Sequence, residues 1–540
     1  MHLPVRMQLA KRVTFVRDAT GIVRGLSVRD VFMISCAGAS LQMNFLWLFS
    51  WPDLTFPGSS PFWIVTLGLV IVIPITLVYG FLGAAMPRSG GDYIYTSRLL
   101  RPDIGFMTSF VVGMVFFLIL GIDVMYMVGT SIAPVFSVAG VVFNNPSLLA
   151  LSTAVSLPMN TFIIGVIIIL LTVAVVMMRV TTATKITWAF MALSILGAVI
   201  TLGLLLSTSR EAFVSTWNAK MGQYATYDQL IETAKSLGWT ASTPNVYASL
   251  SALAFAGWIY NGFIWPSYVG GEIKRASKSL VVGMLVGVLF LWLFYWVIGE
   301  LSWAVAGKDW ASAVNWLATN YPNKYPVPSY PWLSFITPLL TDNPVFIWIL
   351  LLSYIAAWVA ANLATALCAT RILFSWSFDR VMPRAISNVS ERFQAPTWAP
   401  VIVGVIGIIG LCLASFTGIF NYFLNTAAMV LLAYAIVSVA AILFPFRRKE
   451  IFESSPSMVR TRLAGVPLIS ILGVIALIFS LYGSYYALTN SVMGPLNVDS
   501  YSMVGGVFIL GLVVYYVAKT YRLRKEGLDL GLLIREIPPE

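Results

Sequence analysis

Long uncharged runs, separated by short clusters of charged residues, set the pattern of the chain. A bilayer core takes about 20 apolar residues as helix. Runs of that length fall at 31–52, 61–86, 104–134, 160–178, 186–208, 247–270, 279–306, 344–370, 398–417, 421–446, 466–488 and 501–518. The pattern predicts an all-α polytopic membrane protein with twelve transmembrane helices, numbered below as segments 1 to 12. The uncharged stretch 393–446 is too long for one helix, and Thr417, Gly418 and Asn421 supply the turn that divides it. Two longer connections, 208–246 and 307–343, are too short for an independent catalytic domain. The second, rich in Pro, Trp and Tyr, is expected to pack over an outer vestibule.

Composition agrees. Hydrophobic residues make up 59% and charged ones 10%, with mean hydropathy +0.86, which excludes a soluble enzyme. Cys36, Cys368 and Cys412 all lie in apolar segments without metal-site or disulfide spacing, and the lone histidine is His2. No cofactor or metal site is expected. All but five of the 33 lysines and arginines fall in the N-terminal tail, after even-numbered segments, or in the C-terminal tail. The exceptions, Arg210, Lys220, Lys235, Lys308 and Lys324, sit in the two long connections. Basic residues stay on the cytoplasmic side during insertion, so both termini are expected there, in the cell membrane. The net charge of +11 then serves topology and attraction to anionic lipid, and nucleic acid is not an expected partner. The tail has no cleavable signal pattern, and segment 1 is expected to be an uncleaved signal anchor.

Two segments carry signs of interruption. Segment 1 reads Ser35-Cys36-Ala37-Gly38-Ala39-Ser40-Leu41-Gln42-Met43-Asn44, small and polar in mid-span. Segment 6 reads Ala256-Gly257-Trp258-Ile259-Tyr260-Asn261-Gly262-Phe263, with Pro266 one turn later. Such runs weaken the helix, and freed backbone at membrane depth is tolerable where it lines a cavity or binds something; close packing through small residues is the alternative. Their places, first in each of two five-helix halves, point to an inverted repeat with its site at the midplane. The expected organisation is a tail at 1–30, a first repeat at 31–208, an outer loop at 209–246, a second repeat at 247–446, segments 11 and 12 within 447–518, and a tail at 519–540.

Three motifs carry a family resemblance. They are Ala85-Met86-Pro87-Arg88-Ser89-Gly90-Gly91-Asp92-Tyr93-Ile94-Tyr95, then Gly262-Phe263-Ile264-Trp265-Pro266-Ser267-Tyr268-Val269-Gly270-Gly271-Glu272-Ile273-Lys274, and Arg371-Ile372-Leu373-Phe374-Ser375-Trp376-Ser377-Phe378-Asp379-Arg380-Val381-Met382-Pro383. In these the chain resembles the amino acid, polyamine and organocation (APC) transporter superfamily, in the form typical of archaeal permeases. The resemblance implies a LeuT-type fold of ten core helices plus two, alternating access, and amino acids or related amines as substrates. Two departures stand out: Ile264 replaces an acid common after Gly-Phe, and the glycine-rich break of segment 1 is reduced to Gly38. Segment 5 has only Lys185, at its start, where some relatives carry a mid-membrane lysine in place of sodium.

Candidate site residues follow. Ala37, Gly38, Ala39 and Ser40 from one break and Gly257, Tyr260, Asn261 and Gly262 from the other are expected at the substrate, with Trp258 and Phe263 as possible gate or stacking rings. Asp123 is the sole charged residue between positions 104 and 178, well inside segment 3, and is a candidate for binding an amine or carrying a proton; a structural acid is the other reading. Glu300 is expected to reach the interface. Asn362 and Thr365 share a face of segment 8, where sodium-coupled members of this fold place oxygen ligands. Arg88 and Asp92 in the 87–95 loop are candidates for an inner gate. The leading reading is a secondary active transporter coupled to H+ or Na+. The alternatives are a channel or receptor, a polytopic membrane enzyme, and a non-transporting subunit of a larger complex.

Overall fold

The computed structural model describes residues 24–390, 392–417, 425–490, 496–534 and 536. The N-terminal tail through position 23, with His2 and most of its basic residues, lies outside the described residues, as do Gly418 and Asn421 of the expected turn. Eleven helices among the described residues are long and apolar enough to cross a membrane. They match the expected segments except one, and segments 9 (Trp398–Phe416) and 10 (Asn425–Arg447) are separate helices. Segment 3 runs further than expected. Pro102–Met127 passes through one π-turn, Val128–Ile132, into Ala133–Val142, and the wider turn lets Pro134 enter without ending the helix.

Segment 6 is the one expected span without a helix of spanning length among the described residues. It is divided into Val246–Ser251, Leu253–Ile259, and the single 3-10 turns Trp265–Tyr268 and Gly270–Glu272. No piece reaches spanning length, because Gly262 at φ +110° and Pro266 stop the helical ladder.

Packing is organised by pairs. Segments 2 (Pro61–Ala85) and 7 (Ala276–Ala306) lie along each other, as do 3 and 8 (Pro344–Phe378), and 4 (Pro158–Val176) and 9. Segment 1 packs on 7 and segment 6 on 2; segment 5 (Val180–Ser207) packs on 8 and segment 10 on 3. Segments 11 (Leu468–Thr489) and 12 (Val498–Glu526) sit outside, on 10 and 3.

One end of the bundle carries the 87–95 loop; the other carries the two long connections. Those connections are structured. Helices Arg210–Met221, Tyr227–Ser236 and Lys308–Asn320 close around Trp310, which stacks on Tyr227 at 5.5 Å and meets Trp217 edge-on at 4.8 Å. Asp53, just past segment 1, fastens this cap by accepting from Gly58 N (2.7 Å), Ser312 Oγ (2.5 Å) and Ser242 Oγ, with Lys308 Nζ at 3.8 Å.

Candidate functional site

In segment 1 the helix Val28–Gly38 stops and Leu41–Ser50 restarts, with Ala39 and Ser40 between them. Ser40 takes φ +51°, a left-handed conformation that a right-handed helix cannot continue through. In segment 6 the opening covers residues 260–264. Ala37, Gly38 and Gly257 remain helical, so both breaks are narrower than the small-residue runs that announce them.

The two breaks touch. A Cβ on Gly262 would sit 2.2 Å from the carbonyl carbon of Gly38 and 2.3 Å from the amide nitrogen of Ala39; one on Gly38 would sit 2.4 Å from the Trp265 ring. Glycine at both positions is what lets backbone meet backbone here. The freed carbonyls are satisfied by two side chains that sequence reasoning missed. Asn44 Nδ2, with two hydrogens for three acceptors, lies in hydrogen-bond reach of Ala39 O, of Ile259 O at 2.8 Å and of Tyr295 Oη at 2.8 Å, and Tyr295 Oη donates to Ala39 O at 3.2 Å. Ser35 Oγ reaches Phe263 O at 3.3 Å and Ser40 Oγ reaches Ala357 O at 3.4 Å. The only advance sign was a polar amide in an apolar span.

Beside this junction lies a cavity of about 20 Å³, room for about one water molecule. It is lined by Val115 and Ile119 of segment 3, Gly257, Trp258 and Asn261 of segment 6, and segment 10 from Thr426 to Tyr434. A Cβ on Gly257 would meet only Leu431, at 3.9 Å. Asn261 is half-buried, with no side-chain hydrogen bond among the described residues. Ala37, Gly38, Ala39 and Ser40 do not line this cavity and are buried. Tyr260, expected at the substrate, is buried elsewhere: its hydroxyl donates to Val65 O of segment 2 at 2.9 Å. Above the cavity Trp258 meets Trp47 at 5.7 Å and stacks on Trp51 at 6.5 Å.

Asp123 stands one turn along from Ile119, half-buried, and no ion pair or hydrogen bond to it exists among the described residues. One turn further, Tyr126 stacks on Trp358 at 6.2 Å. Asn362 lies one turn from Trp358 on segment 8, fully buried, with neither amide atom hydrogen-bonded among the described residues. Thr365 donates to Ala361 O at 2.9 Å, as a threonine inside a helix commonly does. Glu300 accepts from Phe62 N at 2.7 Å, capping the start of segment 2.

The 87–95 end is closed by polar contacts. Ser89 pairs with Val269 and Leu26 with Ile273 as isolated β-bridges. Asp92 is buried and accepts from Tyr268 Oη at 3.0 Å; burial pushes its carboxyl up to about 7, against that hydrogen bond. Arg88 turns its guanidinium onto Pro87 O at 3.0 Å. Two buried ion pairs join motifs far apart in sequence: Arg371 Nε and Nη2 grip Glu272 at 2.7 and 3.1 Å, and Arg98 Nη2 meets Asp379 at 2.6 Å. A bidentate guanidinium–carboxylate pair fixes orientation as well as charge.

The first and third motifs and the long apolar helices are thus parts of one construction around two broken segments. A family model described as amino acid permease matches residues 34–513. No curated protein matches the chain.

Proposed function

The chain belongs to the amino acid permease family, a family of transporters and not of enzymes, and from that premise we propose that it is a secondary active transporter working by alternating access at the junction of segments 1 and 6. The observation that carries this reading is the contact of two mid-bundle breaks beside a cavity lined by Gly257, Trp258 and Asn261. Freed backbone polar groups at such a junction suit the carboxylate and amine of an amino acid.

A 5+5 inverted repeat is supported by the packing. Exchanging each segment n with n+5 turns 1 on 7 into 6 on 2, and 5 on 8 into 10 on 3, while 2 with 7, 3 with 8 and 4 with 9 map onto themselves. All these pairs are present. Placing the 87–95 end and both termini in the cytoplasm of a cell membrane is supported by the concentration of basic residues there.

Proton coupling through Asp123 is favoured by an acid inside a span with no partner among the described residues. A sodium reading has one observation of its own, the unpartnered buried amide of Asn362. Uptake of radiolabelled amino acids into proteoliposomes, with and without a pH or sodium gradient, tests the proposal. Accumulation driven by the pH gradient, lost in Asp123→Asn while counterflow exchange persists, is the expected result. No uptake or exchange of any amino acid would overturn transport by this chain. Unchanged affinity and pH dependence in Asp123→Asn would remove Asp123 from the site.

A further inference from the structure

The 87–95 end holds a second, separate cleft of about 290 Å³, lined by Arg24, Gly25, Arg179, Val180, Thr181, Lys274 and Gln394. Four stretches of chain meet there: the start of the described chain, the opening of segment 5, the exit of segment 6 and the connection between segments 8 and 9. Three cations line it, and no acidic side chain lines it among the described residues. Arg24, Arg179 and Lys274 make no side-chain hydrogen bond or ion pair among the described residues, and neither does the amide of Gln394. The three cations are exposed at the mouth of the cleft, whereas buried charges elsewhere at this end include the pairs Glu272 with Arg371 and Arg98 with Asp379.

Backbone donors add to the cations. The helix Val180–Ser207 begins at the cleft, where Val180 and Thr181 line it and their amides have no intrahelical acceptor. Gly25 is pressed onto this helix start so closely that a Cβ would fall 2.6 Å from Thr181 Cγ2. Arg24 therefore cannot withdraw without the chain lifting away from segment 5. Like charges gathered without an acid repel one another, and an anion between them removes the repulsion and gains charge-assisted hydrogen bonds.

We propose that this cleft binds a phosphate-class anion, either free or as the headgroup of an anionic lipid, and that the bound anion clamps the seam between the N-terminal stretch and the exit of segment 6. The seam runs directly beside it: Gly25 N and Leu26 N both donate to Glu272 O at 2.9 Å, and Lys274 N donates to Leu26 O at 2.8 Å. Arg24 and Lys274 flank those bonds on either side. On the alternating-access reading, on which this consequence rests, the seam must part for the site to open at this end, so anion binding holds this end closed.

Hydrogen exchange on the full chain reads the clamp without any amino acid present. In detergent, with inorganic phosphate replacing chloride at equal ionic strength, peptides covering 24–27 and 272–274 should exchange roughly tenfold more slowly, the effect of one charge-assisted contact. The Arg24→Gln/Arg179→Gln/Lys274→Gln variant should exchange alike in both salts; Arg24→Gln alone provides a milder control for folding. A second arm compares phosphatidylcholine vesicles with vesicles also containing phosphatidic acid, without free phosphate. Slowing with phosphatidic acid identifies a lipid headgroup, and slowing with inorganic phosphate alone identifies the free ion. Equal exchange in every condition, or slowing that survives in the triple variant, would overturn the proposal. Either result leaves amino acid uptake to be judged by its own measurement.

Discussion

The breaks in segments 1 and 6 look alike in sequence and differ in place. Each is a run of small and polar residues inside an apolar span and both are hydrogen-bonded at the junction, yet the first is buried while the second run turns Gly257, Trp258 and Asn261 to a cavity. Asn44 and Tyr295 take up the carbonyls of the first break, and Trp265 covers Gly38. The difference teaches that small residues in a span report where a helix opens, while the neighbouring side chains decide whether the opening meets space or protein.

The same substitution should give opposite results at two glycines five residues apart. Gly262→Ala places a methyl 2.2 Å from backbone at a positive φ, where nothing flexible can yield, so a loss above about 3 kcal/mol is expected. Little folded protein should survive size-exclusion chromatography. Gly257→Ala meets only Leu431 at 3.9 Å and should fold like the parent. If both variants fold equally well, the contact between the breaks is not the one described.

Glu272→Ala leaves the Arg371 guanidinium buried without its partner, at an expected cost of about 3–5 kcal/mol in thermal or denaturant unfolding. Asn44→Ala removes the donor to Ala39 O and Ile259 O and should cost about 1–3 kcal/mol, with faster exchange confined to the junction. Faster exchange at the cavity instead would blur the distinction between the breaks. The smallest effect concerns pH. Burial raises the Asp92 carboxyl in the folded chain to about 7 from an ordinary value near 4, so the folded state binds the proton more tightly. Its contribution to stability is present below about 4, falls as pH rises to about 7, and changes no further above that. Comparing melting of the parent and Asp92→Asn across that window should isolate this slope, which the variant lacks.

Much of this was legible in the chain. Uncharged stretches fix the spans because a charge in lipid is costly, and Gly38, Ser40, Gly262 and Pro266 mark the breaks because they weaken or stop the backbone ladder. The division between 9 and 10 was readable for the same reason. Other features depend on contacts between distant positions, which no local pattern encodes. Glu272 with Arg371, Arg98 with Asp379, Asn44 with Ile259, and Tyr260 with the Val65 carbonyl are pairs of this kind. The helices around Trp310 were hidden by their length, although Ser209 and Thr226 sit as N-caps at two of their starts.

On the proposed reading the break of segment 6, not that of segment 1, presents the surface an amino acid meets, at a cavity that in this conformation has room for about one water molecule. This is tested most directly by single cysteines at Asn261 and at Ala39, introduced after Cys36, Cys368 and Cys412 are replaced, and alkylated with a small reagent with and without a mixture of amino acids. The cysteine at 261 should react and amino acids should slow the reaction, while the one at 39, buried at 1% exposure, should stay unlabelled. Substrate-protected labelling at 39 with no protection at 261 would contradict it.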